Sequence, residues 1–160
     1  PRGTGPGSEP GSDLEPLPVG KAAICRKGHG VAILAFGSRL AAALEAAYGI
    51  DASVVNMRFI KPLDREMVLA MARQHDLLVT VEENVLAGGA GSAVNELLAT
   101  EYCNCPVLNL GIPDRFIEHG DHAGQLSGCG LDATGILAAI SAHPEFRQTA
   151  AATHRETGLA

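Results

Sequence analysis

Residues 79–98, VTVEENVLAGGAGSAVNELL, concentrate the residue types that do chemistry. Two acids, Glu82 and Glu83, stand beside Asn84, and a glycine cluster, Gly88, Gly89 and Gly91, opens a helical pattern. Paired carboxylates suit acid–base work, and glycines between a strand and a helix suit a phosphate cradle. Neither chemistry passes its spacing test. A dinucleotide fingerprint needs G-x-G-x-x-G with an acid about twenty residues later. Here Val94 stands where the third glycine belongs, and the residues around Asn109 are uncharged. A P-loop needs Gly-Lys-Ser/Thr, and the nearest lysine is Lys61. Adjacent residues on a strand point to opposite faces, so Glu82 and Glu83 should diverge rather than converge on one substrate.

The glycines then read structurally. Gly88 and Gly89 permit a sharp turn, while Gly91 and Ala93 let a helix approach a sheet closely. The helix N-terminus keeps its capacity to hold an anion or a partner's carboxylate. The acids read as solvated or paired across an interface. Their position favours contact of some kind, because the C-terminal strand ends form the functional rim of an open α/β sheet.

Three other groups fall short of a site. His119, Asp121 and His122 lack further convergent ligands, and Gly120 argues for a loop. Ser38 follows Gly37 without the G-x-S-x-G elbow, so it reads as a helix cap. Cys103 and Cys105 form a lone C-x-C pair; with Cys25 and Cys129 they do not make a zinc spacing. Free thiols in a reducing cytoplasm are the expectation.

These residues are carried by an ordered alternation. Residues 22–27 and 31–36 flank Gly28-His29-Gly30 and read as a hairpin. A helix follows from Ser38 as N-cap to Gly49 as C-cap. Residues 52–57 are a buried strand, and a helix capped by Asp64 presents Met67, Val68, Met71 and Ala72 on one face. Further strands fall at 77–81 and 106–111, with helices at 89–100, near 122–128 and at 132–142. Continuous apolar strands alternating with helices predict a three-layer α/β/α fold. Its sheet of about five strands is mostly parallel, with one antiparallel edge strand. Residues 1–20 are rich in glycine and proline and read as a connector, 21–142 as the domain, and 143–160 as a frayed or disordered tail.

The chain has 160 residues, enough for one domain with a real core. It is 46% apolar with a net charge of −6, and its twelve basic residues are scattered, which argues against a nucleic-acid partner. No stretch approaches the roughly eighteen apolar residues of a membrane span. The start on Pro1 and the lack of a leader pattern suggest a piece trimmed from a longer protein.

The segments VAILAFGS, VVNMRFIKPLD, HDLLVTVEENVLAGGAGSAVNELL and PVLNLGIPDRFIEHGD together resemble the C-terminal domain of the 1-deoxy-D-xylulose-5-phosphate synthase family. The opening PRGTGPG is similar to the end of that family's pyrimidine-binding domain. The resemblance runs in order from about Pro1 to Ile140. It implies a homodimeric, cytoplasmic bacterial enzyme of the transketolase superfamily that uses thiamine diphosphate and Mg2+. That enzyme condenses pyruvate with glyceraldehyde 3-phosphate, which feeds isoprenoid, thiamine and pyridoxal synthesis.

In the family the metal motif, the glutamate on the cofactor and the catalytic histidines lie on the first two domains. The resemblance therefore implies no catalytic residue, no metal and no bound cofactor for this piece. It implies a substrate-phosphate role for Arg2 in the full-length enzyme. It also implies domain or dimer contacts for Glu82, Glu83, Asn84, Gly88, Gly89 and Gly91. Two readings stay beside it: the equivalent domain of a 2-oxoacid dehydrogenase β subunit, and an independent anion-binding module.

Overall fold

The computed structural model describes residues 16–147. Five strands form one sheet: β1 (Ala23–Arg26), β2 (Val31–Ala35), β3 (Ser53–Asn56), β4 (Leu77–Val85) and β5 (Val107–Ile112). Their order across the sheet is β1-β3-β2-β4-β5. β3, β2, β4 and β5 run parallel, and β1 is the antiparallel edge.

Five helices cover the sheet: α1 (Leu40–Tyr48), α2 (Arg65–Gln74), α3 (Ala90–Thr100), α4 (His122–Gly128) and α5 (Ala133–Ala142). Alternate strand residues feed two cores. Ile33, Val54 and Val79 pack with α1 and α5 through Ala43, Ala47, Ile136 and Ile140. Leu34, Val55 and Leu78 pack on the other face with α2 and α3 through Val68, Met71, Val94 and Leu97. This double coverage explains the unbroken apolar strands: Ile33 and Leu34 are adjacent, face opposite ways and are both fully buried. Each such side chain contributes about 1.5–3 kcal/mol.

The expected three-layer fold with one antiparallel edge is present, but the expected hairpin is not. β1 pairs with β3, and both edges of β2 are taken by β3 and β4. Residues 27–30 therefore cross the start of β3 instead of turning tightly. His29 N–H bonds the Asp51 carbonyl at 2.8 Å and Gly28 N–H bonds Ser53 Oγ at 2.9 Å. A Cβ at Gly28 would lie 2.0 Å from the Asp51 oxygen, so the glycine serves that crossing. Ile24 and Cys25 are exposed, as suits an edge strand.

Ser38 is also corrected. It lies in a 3-10 turn, Gly37–Arg39, and α1 begins after Arg39 with no side-chain cap. Gly49 does close α1, and Asp64 caps α2 by accepting from Met67 N–H at 3.1 Å. β4 runs four residues beyond its expected end and so carries Glu82, Glu83 and Asn84. The chain is helical again at 144–147, where Phe146 packs on the α1–α5 core. Arg2 and most of the expected connector and tail lie outside the described residues.

Candidate functional site

The parallel strands end along one rim, where the end of β4 meets residues that follow β2 and β5. Glu82 and Glu83 leave β4 on opposite sides, as adjacent strand residues must. Glu82 turns inward and is 3% exposed. Its carboxylate accepts the Ala90 N–H at 2.7 Å and the Gly91 N–H at 2.8 Å, which are free donors in the first turn of α3. The anion-binding end of α3 is thus filled by the chain's own acid, which also suits the positive end of the helix dipole.

The glycines make this approach possible. A Cβ on Gly89 would lie 2.5 Å from Glu82 Oε1, and one on Gly91 would lie 2.6 Å from Thr80 Oγ1. Thr80 is fully buried and donates to Asn109 Oδ1 at 3.0 Å. Gly88, with φ +75°, makes the turn itself in the left-handed region that favours glycine. Between the pairs Val81–Leu110 and Val85–Ile112 the ladder is irregular, so Glu82, Glu83 and Asn84 bulge from regular pairing with β5. Asn84 is exposed on the bulge, and its carbonyl would lie 2.8 Å from a Cβ on Gly111.

Glu83 joins three other rim residues. Ser38 Oγ–H donates to its Oε2, His122 Nε2 lies 2.5 Å from its Oε1, and Arg39 Nη2 lies 3.4 Å from Oε2. The Arg39 side chain is 12% exposed; its other donors reach the Leu131 carbonyl at 3.1 Å and Ser38 Oγ at 3.3 Å. Burial works against ionisation of Glu83. The hydrogen bonds from Ser38 and His122, with the charges of Arg39 and His122, outweigh it and hold the carboxyl below its ordinary range. Arg39 was missed at the sequence level, although a basic residue at a buried strand's end, on the same rim as the acids, is a usable signal.

Serine, histidine and glutamate meet here without forming a nucleophilic triad. A triad needs serine hydrogen-bonded to histidine, whereas both Ser38 and His122 bond the glutamate. Each carboxylate is satisfied within the chain, and the two diverge. The cluster ties the Gly37–Arg39 turn, β4 and α4 together, and that is its evident work.

The second histidine stands apart. His119 and Asp121 line a cleft of ≈ 470 Å³ beside α4, together with Arg115 and Phe116, while His122 turns to Glu83. Asp121 caps α4 by accepting from Gly124 N–H at 2.8 Å. Among the described residues no three His, Cys, Asp or Glu side chains converge as metal ligands. The four cysteines are free thiols. No helix among these residues is long and apolar enough to cross a membrane.

Residues 20–136 match the family described as transketolase, C-terminal domain. The chain belongs to this family. It is 61% identical over 142 residues to the 1-deoxy-D-xylulose-5-phosphate synthase of Thioalkalivibrio sulfidiphilus, covering 89% of this chain and 22% of that protein. It is 59% identical, again over 142 residues, to the synthase of the same name from Chromohalobacter salexigens, covering 88% and 22%. The chain thus spans about a fifth of the length of these curated relatives. A solved structure described as a split gene transketolase, inactive beta4 tetramer, superposes with a TM-score of 0.68. It is 40% identical, with 77% of this chain and 41% of that chain covered. Transketolase from Campylobacter jejuni, at 20% identity and a TM-score of 0.55, shares the fold.

Proposed function

We propose that this domain is the C-terminal portion of a 1-deoxy-D-xylulose-5-phosphate synthase, a bacterial cytoplasmic enzyme. The full-length protein condenses pyruvate with glyceraldehyde 3-phosphate to give 1-deoxy-D-xylulose 5-phosphate and carbon dioxide. The observation that carries the reading is the 61% identity over 142 residues to a protein of that name.

Thiamine diphosphate with Mg2+ is the family's cofactor, and the described residues do not fit it. The amides of Ala90 and Gly91, which a diphosphate would want, already hold Glu82. No cluster of metal ligands accompanies them among the described residues. The cofactor belongs to the rest of the enzyme, and this domain serves domain packing and homodimer assembly. The filled α3 terminus also disfavours an independent anion-binding module.

Within that assembly Asn84 and Gly88 present the contact face, Glu83 fixes the rim, and Glu82, Gly89 and Gly91 hold the loop from beneath. Arg2 contributes to the site of the substrate phosphate, a task suited to its planar, bidentate fork.

The test is the full-length gene product supplied with thiamine diphosphate, Mg2+ and both substrates. Formation of the pentulose phosphate is expected, and its absence overturns the reading. Arg2→Ala should raise the KM for glyceraldehyde 3-phosphate more than that for pyruvate. Asn84→Arg, and Ala87→Arg at the exposed residue just before Gly88, should weaken the dimer in sedimentation; unchanged dimer and activity would remove the rim from the interface.

A further inference from the structure

The first described residues do not hang free. A Cβ on Gly20 would lie 2.8 Å from Pro62 Cγ, so the two backbones run close together. Ala22 N–H bonds Asp64 Oδ2 at 2.8 Å, and Lys21 Nζ meets Glu66 Oε2 at 2.8 Å. Residues 20–22 are therefore pinned beside residues 62–66, on the connection that follows β3. A local turn carries Val19 next to them, with Lys21 N–H on the Pro18 carbonyl at 3.2 Å. The described chain joins the fold at this corner.

The corner is apolar where it should be wet. Leu17 is 56% exposed, Val19 72% and Ile60 54%. Single exposed apolar residues mean little, but several gathered in one place mark a contact surface. Two cations flank them: neither Arg58 nor Lys61 pairs with an acid among the described residues. Arg58 also holds φ at +58°, a left-handed conformation unusual for arginine, with its N–H on Asn56 Oδ1 at 3.2 Å. Such a conformation persists only where surroundings fix it, and it sits on the loop that presents Ile60.

We infer that Leu17, Val19 and Ile60, flanked by Arg58 and Lys61, form the seat for the domain that precedes this one in the same polypeptide. The inference rests on the reading above, that a longer enzyme carries this piece as its C-terminal domain. The matching face is apolar and bordered by carboxylates. A tethered domain meets the surface around its tether at an effective concentration of about millimolar, far above that of a free partner. Gly20 packs on Pro62, so the patch adjoins the point where the described chain joins the fold.

The experiment uses the full-length enzyme with Val19→Asp, Ile60→Asp and Arg58→Glu. Tyr48→Asp, at a side chain 76% exposed at the end of α1, which packs on the other face of the sheet from α2, is the control. Hydrogen exchange should quicken about tenfold at residues 17–22 and 57–63 in the three variants and stay unchanged in the control. Proteolysis just before residue 16 should quicken in parallel. Wild-type exchange and cleavage in both Val19→Asp and Ile60→Asp would overturn the inference. So would dimer dissociation without faster cleavage, which would assign the patch to a second copy. Should Ile60→Asp lose protection in β2 and β4, the Val19→Asp result decides. Failure of the wild-type enzyme to make product would overturn the enzymatic reading alone, since the exchange result is read independently of activity.

Discussion

Glu82 and Gly91 meet inside the fold, the side-chain Oε1 accepting the backbone N–H at 2.8 Å. With the Ala90 N–H on Oε2, one acid closes the start of α3 and joins it to β4. Glu82→Ala leaves two buried donors without a partner and should cost about 3–5 kcal/mol, since each unmet group costs about 1–3 kcal/mol. Glu82→Gln keeps one acceptor but sets an NH2 against the other amide, and should cost about 2–3 kcal/mol. Urea unfolding of the chain measures both. A loss under 1 kcal/mol in Glu82→Ala would show that the cap is dispensable.

Glu83 answers pH differently from an exposed glutamate. Its folded-state pKa lies below the ordinary 4.5. The unfolded chain therefore takes up the proton first as pH falls. The stabilisation is complete above about pH 4.5 and is lost as pH drops through the folded value. Glu83→Gln should cost about 1 kcal/mol at pH 7, with the difference from wild type closing only as pH falls below about 4.5. Thermal melts across pH 3–7 test this, and a gap that stays constant would reject it.

Much of this was legible in the sequence, and the failures share a cause. Buried runs such as VAILA and LLVTV showed strands covered on both faces because their apolar residues do not alternate. Asp64 was legible as a cap because capping is local. Ser38 was misread because its partner, Glu83, lies 45 positions away, beyond any local pattern. The pairing of β1 was misread for the same reason. Its register with β3 spans the whole of β2 and α1, and a glycine pair looks alike in a turn and in a crossing. The divergence of Glu82 and Glu83 followed from strand geometry. That one of them would fill the α3 terminus did not, because this depends on how the glycine loop folds back.

Gly91 tests how close α3 lies to the sheet. Alanine is the better helix former by about 1 kcal/mol. Its Cβ, however, would sit 2.6 Å from Thr80 Oγ1 and 3.1 Å from Asn109 Oδ1. Overpacking of that kind costs about 1–3 kcal/mol, so Gly91→Ala should destabilise. Gly91→Ala with Thr80→Ala should be less unstable than the sum of the single changes, because the second change vacates the space. Strict additivity in urea unfolding would refute the contact.

The thiols should separate by reactivity. Burial pushes the Cys105 thiol above its ordinary 9.0, with nearby Cys103 and Asp76 adding to the effect against a hydrogen bond from the Leu78 backbone. Since the thiolate is the nucleophile, Cys105 should react slowly with iodoacetamide at pH 8. Exposed Cys25 should be alkylated first. Mass mapping of a partial reaction reads the order, and equal labelling would contradict it.

Asp64 joins two tasks that one substitution can separate. It is 5% exposed, with Oδ1 capping α2 at Met67 and Oδ2 holding the Ala22 N–H. Asp64→Ala removes both and should cost about 2 kcal/mol, the upper end for a lost cap. Asp64→Asn can keep the carbonyl oxygen on Met67 while turning its NH2 toward Ala22. It should then preserve most of the stability of α2 but speed hydrogen exchange at Ala22. If Asp64→Asn left Ala22 exchange at its wild-type rate, the aspartate would be a helix cap only. The pinning of residues 20–22 would then rest on the Gly20–Pro62 packing and the Lys21–Glu66 pair.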